Sequence, residues 1–328
     1  MAKKISKPAA RKSAGLDQYK IAVLVPCYNE EVAVAKVVKD FRAALPSATI
    51  FVFDNNSTDN TAAAARAAGA EVFCERHQGK GFVVRRMFTD VEADIYVLVD
   101  GDATYHAPSA RAMIERLLRG RLDMVVGSRV DHEEAAYRAG HRAGNRLLTS
   151  FVASVFGPAV KDMLSGYRVF SRRFVKSFPV LSGGFEIETE LTIHALELGL
   201  PVAEIDAPYY SRPKGSASKL NTWRDGFRIL RTIVSLYRAE RPLRFFTGIG
   251  LVLALASIGI ATPIVVTFLE TGLVPRLPTA ILSMGLMVLA FLSVAVGLVL
   301  DTVTRGRREM KLLAYLVHRA PGDERRRG

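Results

Sequence analysis

The chain has 328 residues, 45 Lys and Arg against 32 Asp and Glu, a formal net charge of +13 and two cysteines. That length exceeds the needs of one small core. Cys27 and Cys74 alone exclude a disulfide framework and a Cys-rich zinc site, which fits a reducing compartment. The cations gather at both ends and around apolar segments with no aromatic RNA-binding signature between them, so phosphate-bearing ligands and an anionic membrane surface account for the charge better than nucleic acid does.

Residues 1–17 carry Lys3, Lys4, Lys7, Arg11 and Lys12 around no apolar centre. They lack the middle region of a signal peptide and read as a basic flexible tail. Over 18–220, apolar runs at Ile21 to Val25, Ile50 to Phe53, Val72 to Cys74, Ile95 to Val99 and Met124 to Val126 read as strands, and Glu31 to Leu45 and Thr61 to Ala68 have helical composition and spacing. Strand and helix in alternation predict an α/β domain, its mainly parallel sheet covered on both faces, with ligands at the carboxyl ends of the strands.

Over 221–242, Trp223, Phe227, Leu230, Val234 and Tyr237 share one helical stripe and Arg224, Arg228, Arg231 and Arg238 a neighbouring one. This predicts an amphipathic helix at the membrane interface, with a helix packed on the soluble domain as the alternative. Beyond Pro242 the region 243–304 holds two uncharged runs, at about 243–269 and 278–303, apart from Arg244 at the first boundary and Asp301 near the end of the second. Each exceeds the roughly 20 residues needed to span hydrocarbon, and Pro263 is tolerable inside such a helix. Arg238, Arg241 and Arg244 precede the first span and Arg305, Arg307 and Arg308 follow the second, so both ends are expected on the cytoplasmic side, leaving 305–328 as a basic cytoplasmic tail. The expected product is an integral protein of the cytoplasmic, or inner, membrane, whose exposed transmembrane faces would allow a homo-oligomer.

The chemistry starts from Asp100-Gly101-Asp102, at the end of the run Ile95 to Val99. Two carboxylates one residue apart repel unless a cation sits beside them. Hard oxygen ligands completed by phosphate suit Mg²⁺ or Mn²⁺, whereas the scattered histidines offer no zinc cluster. Such a tripeptide alone also makes ordinary turns. Two further strand ends accompany it: Val25-Pro26-Cys27-Tyr28-Asn29-Glu30 and Phe53-Asp54-Asn55-Asn56-Ser57-Thr58-Asp59-Asn60-Thr61, where Ser57, Thr58 and Asp59 also suit an Asx turn and helix N-cap. In Gly184 to Glu190, Glu186 and Glu188 are candidates to accept from ligand hydroxyls, and Glu190 for a helix N-terminus.

On these motifs the chain resembles the family 2 glycosyltransferases with the Rossmann-like GT-A fold. The resemblance implies donor-nucleotide contacts at Pro26, Tyr28, Glu30, Asp54 and Asp100, a metal on Asp100 and Asp102, with Asp102 catalytic, and Lys80 of Gly79-Lys80-Gly81 near the donor. The stretches Ser128-Arg129 and Asp162 to Phe170 look like the region where the subgroup acting on polyprenyl phosphates, similar to dolichyl-phosphate mannose synthases and undecaprenyl-phosphate glucosyltransferases, places sugar and acceptor contacts. This adds Arg129, with Glu186 and Glu188, for the sugar and Arg168 as a catalytic phosphate clamp. A guanidinium fork suits phosphate oxygens, and a structural salt bridge is the other reading of Arg168. In Arg212-Pro213-Lys214-Gly215-Ser216-Ala217-Ser218-Lys219 the same resemblance makes Arg212 and Lys219 lipid-phosphate candidates, beside the plainer reading of a solvated basic loop.

The function this implies is inverting transfer of one sugar from a UDP- or GDP-sugar to polyprenyl phosphate at a bilayer, with no nucleic-acid partner. One departure is Thr104, where mannose-transferring relatives often carry Gln. The alternatives are transfer to a lipid or polysaccharide hydroxyl, which needs a base such as Glu188, and a non-catalytic membrane scaffold. The chain lacks the Gln-x-x-Arg-Trp motif of processive synthases, which argues against polymer synthesis.

Overall fold

The computed structural model describes residues 15–131, 161–181, 183–184, 186–213, 231, 234–235 and 237–322. Their contacts divide them into two compact units, one taking the residues before 220 and those from Ala314 on, the other the residues between. The expected tail over 1–14, most of the interfacial helix over 221–242, Lys219, and 323–328 lie outside the described residues.

The first unit is built on seven strands: β1 Ile21–Cys27, β2 Thr49–Asp54, β3 Glu71–Cys74, β4 Ile95–Leu98, β5 Met124–Asp131, β6 Arg168–Ser171 and β7 Val202–Tyr209. Their order in the sheet is β3-β2-β1-β4-β6-β5-β7. The pairs β1–β2, β2–β3, β1–β4 and β5–β7 are parallel, whereas β6 runs antiparallel to both neighbours, β4 and β5. β1 and β4 are central and almost wholly buried, hence their unbroken apolar sequences. The chain order reverses between them, which opens the crevice where α/β sheets bind ligands.

Among the described residues this unit also has helices α1 Val34–Ala44, α2 Thr61–Ala67, α3 Lys80–Asp90, α4 Ser109–Gly120, α5 Arg172–Ser177 and α6 Ile187–Glu197. In α1 the buried residues are Val34, Val37, Val38 and Phe41, and in α4 Ala110, Met113, Ile114 and Leu117. Both follow the three- and four-residue spacing of a single apolar stripe laid on the sheet. All five strands expected from sequence are present. β6 and β7 were not expected: β6 is four residues long and opens on an arginine, and β7 is a half-exposed edge strand holding Pro208, a residue that weakens a strand reading.

Two long helices follow, α7 Pro242–Thr271 and α8 Leu277–Leu316. Both are long and apolar enough to cross a membrane, and little of their apolar length is buried. Core helices of a soluble domain would be covered. Their mutual seam is made of small residues: Gly250 and Ser257 on α7, and Ser283, Ala290 and Gly297 on α8, spaced by sevens. Such residues let backbones approach closely in a medium that supplies no hydrophobic drive between helices. Ser257 Oγ donates to Ser283 O at 2.6 Å and Ser293 Oγ to Phe246 O at 3.1 Å.

α8 continues beyond its apolar run through Arg305, Arg307 and Arg308, so the expected tail is helical as far as Leu316. From Ala314 the chain groups with the first unit. There Tyr315 Oη donates to Asp123 Oδ2 at 2.9 Å, beneath the Arg173 guanidinium that pairs with the same buried carboxylate.

A side chain added at Gly250 meets the Ala290 carbonyl, whereas Gly259 faces open space. Gly250→Leu is therefore expected to weaken the hairpin by about 1–3 kcal/mol, the usual cost of overpacking, and Gly259→Ala to leave it unchanged or firmer, in denaturant titrations of detergent-solubilised protein.

Candidate functional site

The loops leaving β1 and β2 are stitched together before either reaches the crevice. Asn29, in the left-handed region at φ 53°, donates its N–H to Ser57 Oγ at 2.9 Å and accepts from Thr58 N–H at 2.8 Å. Glu30 N–H donates to Thr61 Oγ1 at 2.8 Å. The capping oxygen at the start of α2 comes from Asp59, which accepts from Thr61 N–H at 3.0 Å; burial raises its carboxyl, but the Thr61 hydrogen bonds outweigh this and hold it below the ordinary range. Pro26 and Tyr28 lie at this rim, with Tyr28 partly exposed.

Asp54 closes β2 and is buried. Its Oδ2 accepts from Ser57 N–H at 3.4 Å, but Oδ1 has no donor among the described residues. A buried carboxylate oxygen without a donor costs free energy. The next residue, Asn55, is a staple that sequence reading passed over. Its amide donates to Glu75 O at 3.0 Å and His77 O at 2.7 Å, and its Oδ1 accepts from Gly79 N–H at 2.7 Å. That fixes the Gly79-Lys80-Gly81 turn; Gly79 has φ 142° and faces the Gly183 carbonyl so closely that no side chain fits.

Lys80, at the start of α3, is nearly buried and places Nζ 2.5 Å from both Asp100 Oδ1 and Glu188 Oε1. Burial alone would lower its affinity for a proton; Asp100 and Glu188 reverse this and hold the ammonium well above the ordinary lysine range. Asp100 has room for its carboxylate because Gly166 packs against it, and any side chain there would collide with it.

Asp102 is buried, and both of its oxygens are engaged. Oδ1 accepts from Thr104 N–H at 3.3 Å and Thr104 Oγ1 at 2.6 Å; Oδ2 lies 2.8 Å from Arg212 Nη2. Arg212 Nη1 stands 4.0 Å from Glu30 Oε1. Burial, then Asp100, push the Asp102 carboxyl above the ordinary carboxylate range, against the pull of Arg212 and Thr104. The combined field registers on Cys27 as well: its buried thiol is raised first by desolvation, then by Glu30, Asp54, Asp100 and Asp102. The strand ends therefore bring Glu30, Asp54, Asp100, Asp102 and Glu188 together with Lys80 and Arg212.

Three further expected site residues have surroundings of their own. Arg168 is fully buried on β6, and its guanidinium donates to Ser165 O at 2.9 Å, Met163 O at 2.5 Å and Thr192 Oγ1 at 2.8 Å. A phosphate would reach it only by breaking these bonds in the core, so the expected clamp is corrected to a residue that holds the 163–165 turn. Arg129 forms a two-pronged pair with Asp162, at 2.7 and 2.8 Å, and lies over the Tyr209 ring. Glu186 is the residue preceding α6, its carboxylate beside Gly184. Lys219 lies outside the described residues.

Among the described residues no three His, Cys, Asp or Glu side chains are grouped to hold a metal ion by themselves. Asp100 and Asp102 offer two hard oxygen donors whose mutual repulsion a divalent cation would relieve, which fits an ion completed by phosphate oxygens rather than by protein.

Residues 22–178 match the model of the family described as glycosyl transferase family 2. The glycosyltransferase AglJ of Haloferax volcanii is 34% identical over 243 residues, covering 74% of this chain and 80% of AglJ. A dolichyl-phosphate hexose transferase of the same organism is 27% identical over 221 residues, 67% of this chain and 95% of its own. The glucosyl-3-phosphoglycerate synthase of Mycobacterium tuberculosis, solved with Mn²⁺, UDP and phosphoglyceric acid, superimposes with a TM-score of 0.56 at 23% identity, over 68% of this chain and 78% of that one. That likeness establishes the GT-A fold.

Two variants separate structure from chemistry. Because the folded Asp102 carboxyl binds its proton more tightly than the unfolded one, its contribution to stability is fully present below the unfolded carboxylate range and lost as pH rises through the folded one. Asp102→Asn should therefore melt higher than the metal-free wild type at neutral pH, and that difference should shrink as pH falls through the folded Asp102 range. Arg168→Ala should cost about 3 kcal/mol or more through its stranded carbonyl partners and cavity, with the acceptor KM of the surviving enzyme unchanged.

Proposed function

Because the chain belongs to glycosyl transferase family 2, we propose that its site moves one sugar from a nucleoside diphosphate to a polyprenyl phosphate, with inversion at the anomeric carbon. The observation carrying this reading is the charge layout of the crevice: Lys80 backs one carboxylate of the Asp100–Asp102 pair, Arg212 the other. A relative named for dolichyl-phosphate hexose transfer and two helices apolar enough to span a bilayer support a lipid acceptor.

In this reading Asp54 Oδ1 receives a donor from the base or ribose, and Pro26, Tyr28 and Glu30 border the nucleotide. Asp100 and Asp102 would hold Mg²⁺ or Mn²⁺, which would supply positive charge against the departing diphosphate. Lys80, kept protonated by its two carboxylates, stabilises the same developing charge, and Glu188 keeps the ammonium in place while offering its remaining oxygen to sugar hydroxyls. Arg129 shapes the sugar pocket through the loop it braces at Asp162, and Glu186 borders that pocket.

Arg212, with Lys219 beyond the described residues, receives the acceptor phosphate. One oxygen of that phosphate forms a bond to the anomeric carbon as the bond to the diphosphate oxygen breaks, and the electron pair leaves with the nucleoside diphosphate. A phosphate monoester has a second pKa of about 6, so the attacking oxygen is already anionic near neutral pH and needs no dedicated base. Glu188, the base that a hydroxyl acceptor would require, is engaged by Lys80.

The reading places the α/β unit and both ends of the chain on the cytoplasmic face of the cytoplasmic membrane, and the turn between α7 and α8 on the other. An accessible tag inserted in 272–276 should be labelled only from outside; labelling from the cytoplasm overturns the hairpin topology. Transfer to short-chain polyprenyl phosphate should be lost with EDTA and restored by Mn²⁺ or Mg²⁺. Asp102→Asn and Lys80→Met should each lower kcat by about 10²–10³, the scale of removing one preorganised electrostatic contact. Wild-type turnover in Asp102→Asn would remove the metal from the account.

A further inference from the structure

The turn between α5 and α6 holds its shape against a local conformational preference. Among the described residues other than glycine, Asn29, Asn56, Ala103, Arg121 and Val180 have a positive φ. Val180, at φ 40°, is the β-branched one, and it is buried. A branched Cβ in the left-handed region is an outlier that persists only where the surroundings over-determine it. Here the surroundings are explicit. Arg85 Nε and Nη2 both donate to Val180 O, at 3.0 and 2.7 Å, and the guanidinium lies over the Phe82 ring, 5.5 Å from its centre. Leu181 N–H donates to Glu190 Oε1 at 2.8 Å. Phe82 also fills the space that a side chain on Gly183 would need.

These contacts tie the turn to two helices. Arg85 and Phe82 share α3 with Lys80, and Glu190 shares α6 with Glu188. Lys80 and Glu188 meet across the same pair of helices. The chain enters α6 from this turn rather than from a strand, so the position of Glu188 depends on how the turn is held. We propose that Arg85 is a positioning residue for sugar transfer: it holds Val180 in the left-handed conformation, which fixes the turn into α6 and sets Glu188 against Lys80. If the turn is released, Lys80 keeps Asp100 as a partner, but Glu188 no longer fixes where the ammonium stands. Asp54 and Asn55 lie outside the brace, so its loss falls on turnover rather than on nucleotide affinity. The catalytic half of this inference rests on the function proposed above; the brace rests only on the geometry of the turn.

The test uses full-length protein in detergent as wild type, Arg85→Met, Arg85→Lys, Val180→Gly and the double variant Arg85→Met/Val180→Gly, each checked for folding by thermal melting. Hydrogen exchange over 178–190 reads the brace directly. Arg85→Met should exchange about tenfold faster there than wild type, and Arg85→Lys, which keeps one donor, should fall between them. Glycine adopts a positive φ without the penalty of a Cβ, so in the Val180→Gly background the same Arg85→Met change should speed exchange by about threefold or less. Unchanged exchange in Arg85→Met, or an equal effect in both backgrounds, overturns the brace.

Transfer from UDP-glucose and GDP-mannose to farnesyl phosphate with Mn²⁺ supplies the second arm. Arg85→Met should lower kcat about tenfold while UDP and GDP bind within about threefold of wild type, and Val180→Gly should restore most of that turnover. Wild-type kcat alongside faster exchange overturns the positioning role, as does a loss of nucleotide affinity that accounts for the whole effect. Nucleotide-sugar hydrolysis by wild type without lipid transfer overturns the proposed function, and the exchange result then decides the brace by itself.

Discussion

The site is governed by an excess of negative charge that the sheet forces into one place. β1, β2 and β4 end side by side, and each delivers acids to the same crevice: Glu30, Asp54, and the pair Asp100 and Asp102. Glu188 joins them from the start of α6. Carboxylates crowded in a partly dry space raise one another's affinity for protons or demand cations. The protein supplies two, Lys80 and Arg212, and the rest of the geometry serves to hold them. Asn55 fixes the turn from which Lys80 rises, Gly166 leaves space for Asp100, and the contact of Tyr210 with Thr104 presents Arg212. A glycosyltransferase of this family has to manage the negative charge that develops on a departing diphosphate, and cations held beside these acids meet that need.

Much of this was legible in the sequence, for physical reasons that differ from element to element. Strands buried on both faces need unbroken apolar runs, so β1, β2, β4 and β5 are visible as Ile21 to Val25, Ile50 to Phe53, Ile95 to Val99 and Met124 to Val126. Their acidic ends stand out because carboxylates rarely follow such runs without a partner. β6 was hidden by its brevity and by Arg168. Five N–H donors arranged in a plane suit backbone carbonyls as well as phosphate oxygens, and only burial decides between the two. Nothing local to Arg168 reports that burial. Arg212 posed the opposite problem: its sequence neighbours pointed to a solvated loop, and its ion pair with Asp102 depends on the edge strand β7, itself masked by Pro208 and half-exposure.

The C-terminal unit follows a simpler rule. Charge-free runs long enough to span hydrocarbon announce α7 and α8, but the seam between them is encoded by small residues at seven-residue spacing, Ser283, Ala290 and Gly297 facing Gly250 and Ser257. In lipid these allow close backbone contact and exchange of hydroxyl–carbonyl bonds, which large apolar side chains would prevent. The large ones, Leu251, Leu255, Leu289 and Phe291 among them, are exposed. The continuation of α8 to Leu316 and the return of Tyr315 to Asp123 left no mark in hydropathy, since a tyrosine among cations reads as ordinary tail.

The account stands or falls on the chemical identity of the product. Purified full-length protein incubated with UDP- and GDP-sugars, short-chain polyprenyl phosphate and Mn²⁺ should yield a lipid whose mass equals acceptor plus one hexose less water, with the sugar joined through its anomeric carbon to the phosphate in a phosphodiester of inverted configuration. A sugar attached to a hydroxyl, or nucleotide-sugar hydrolysis with the lipid phosphate left unmodified, would contradict it.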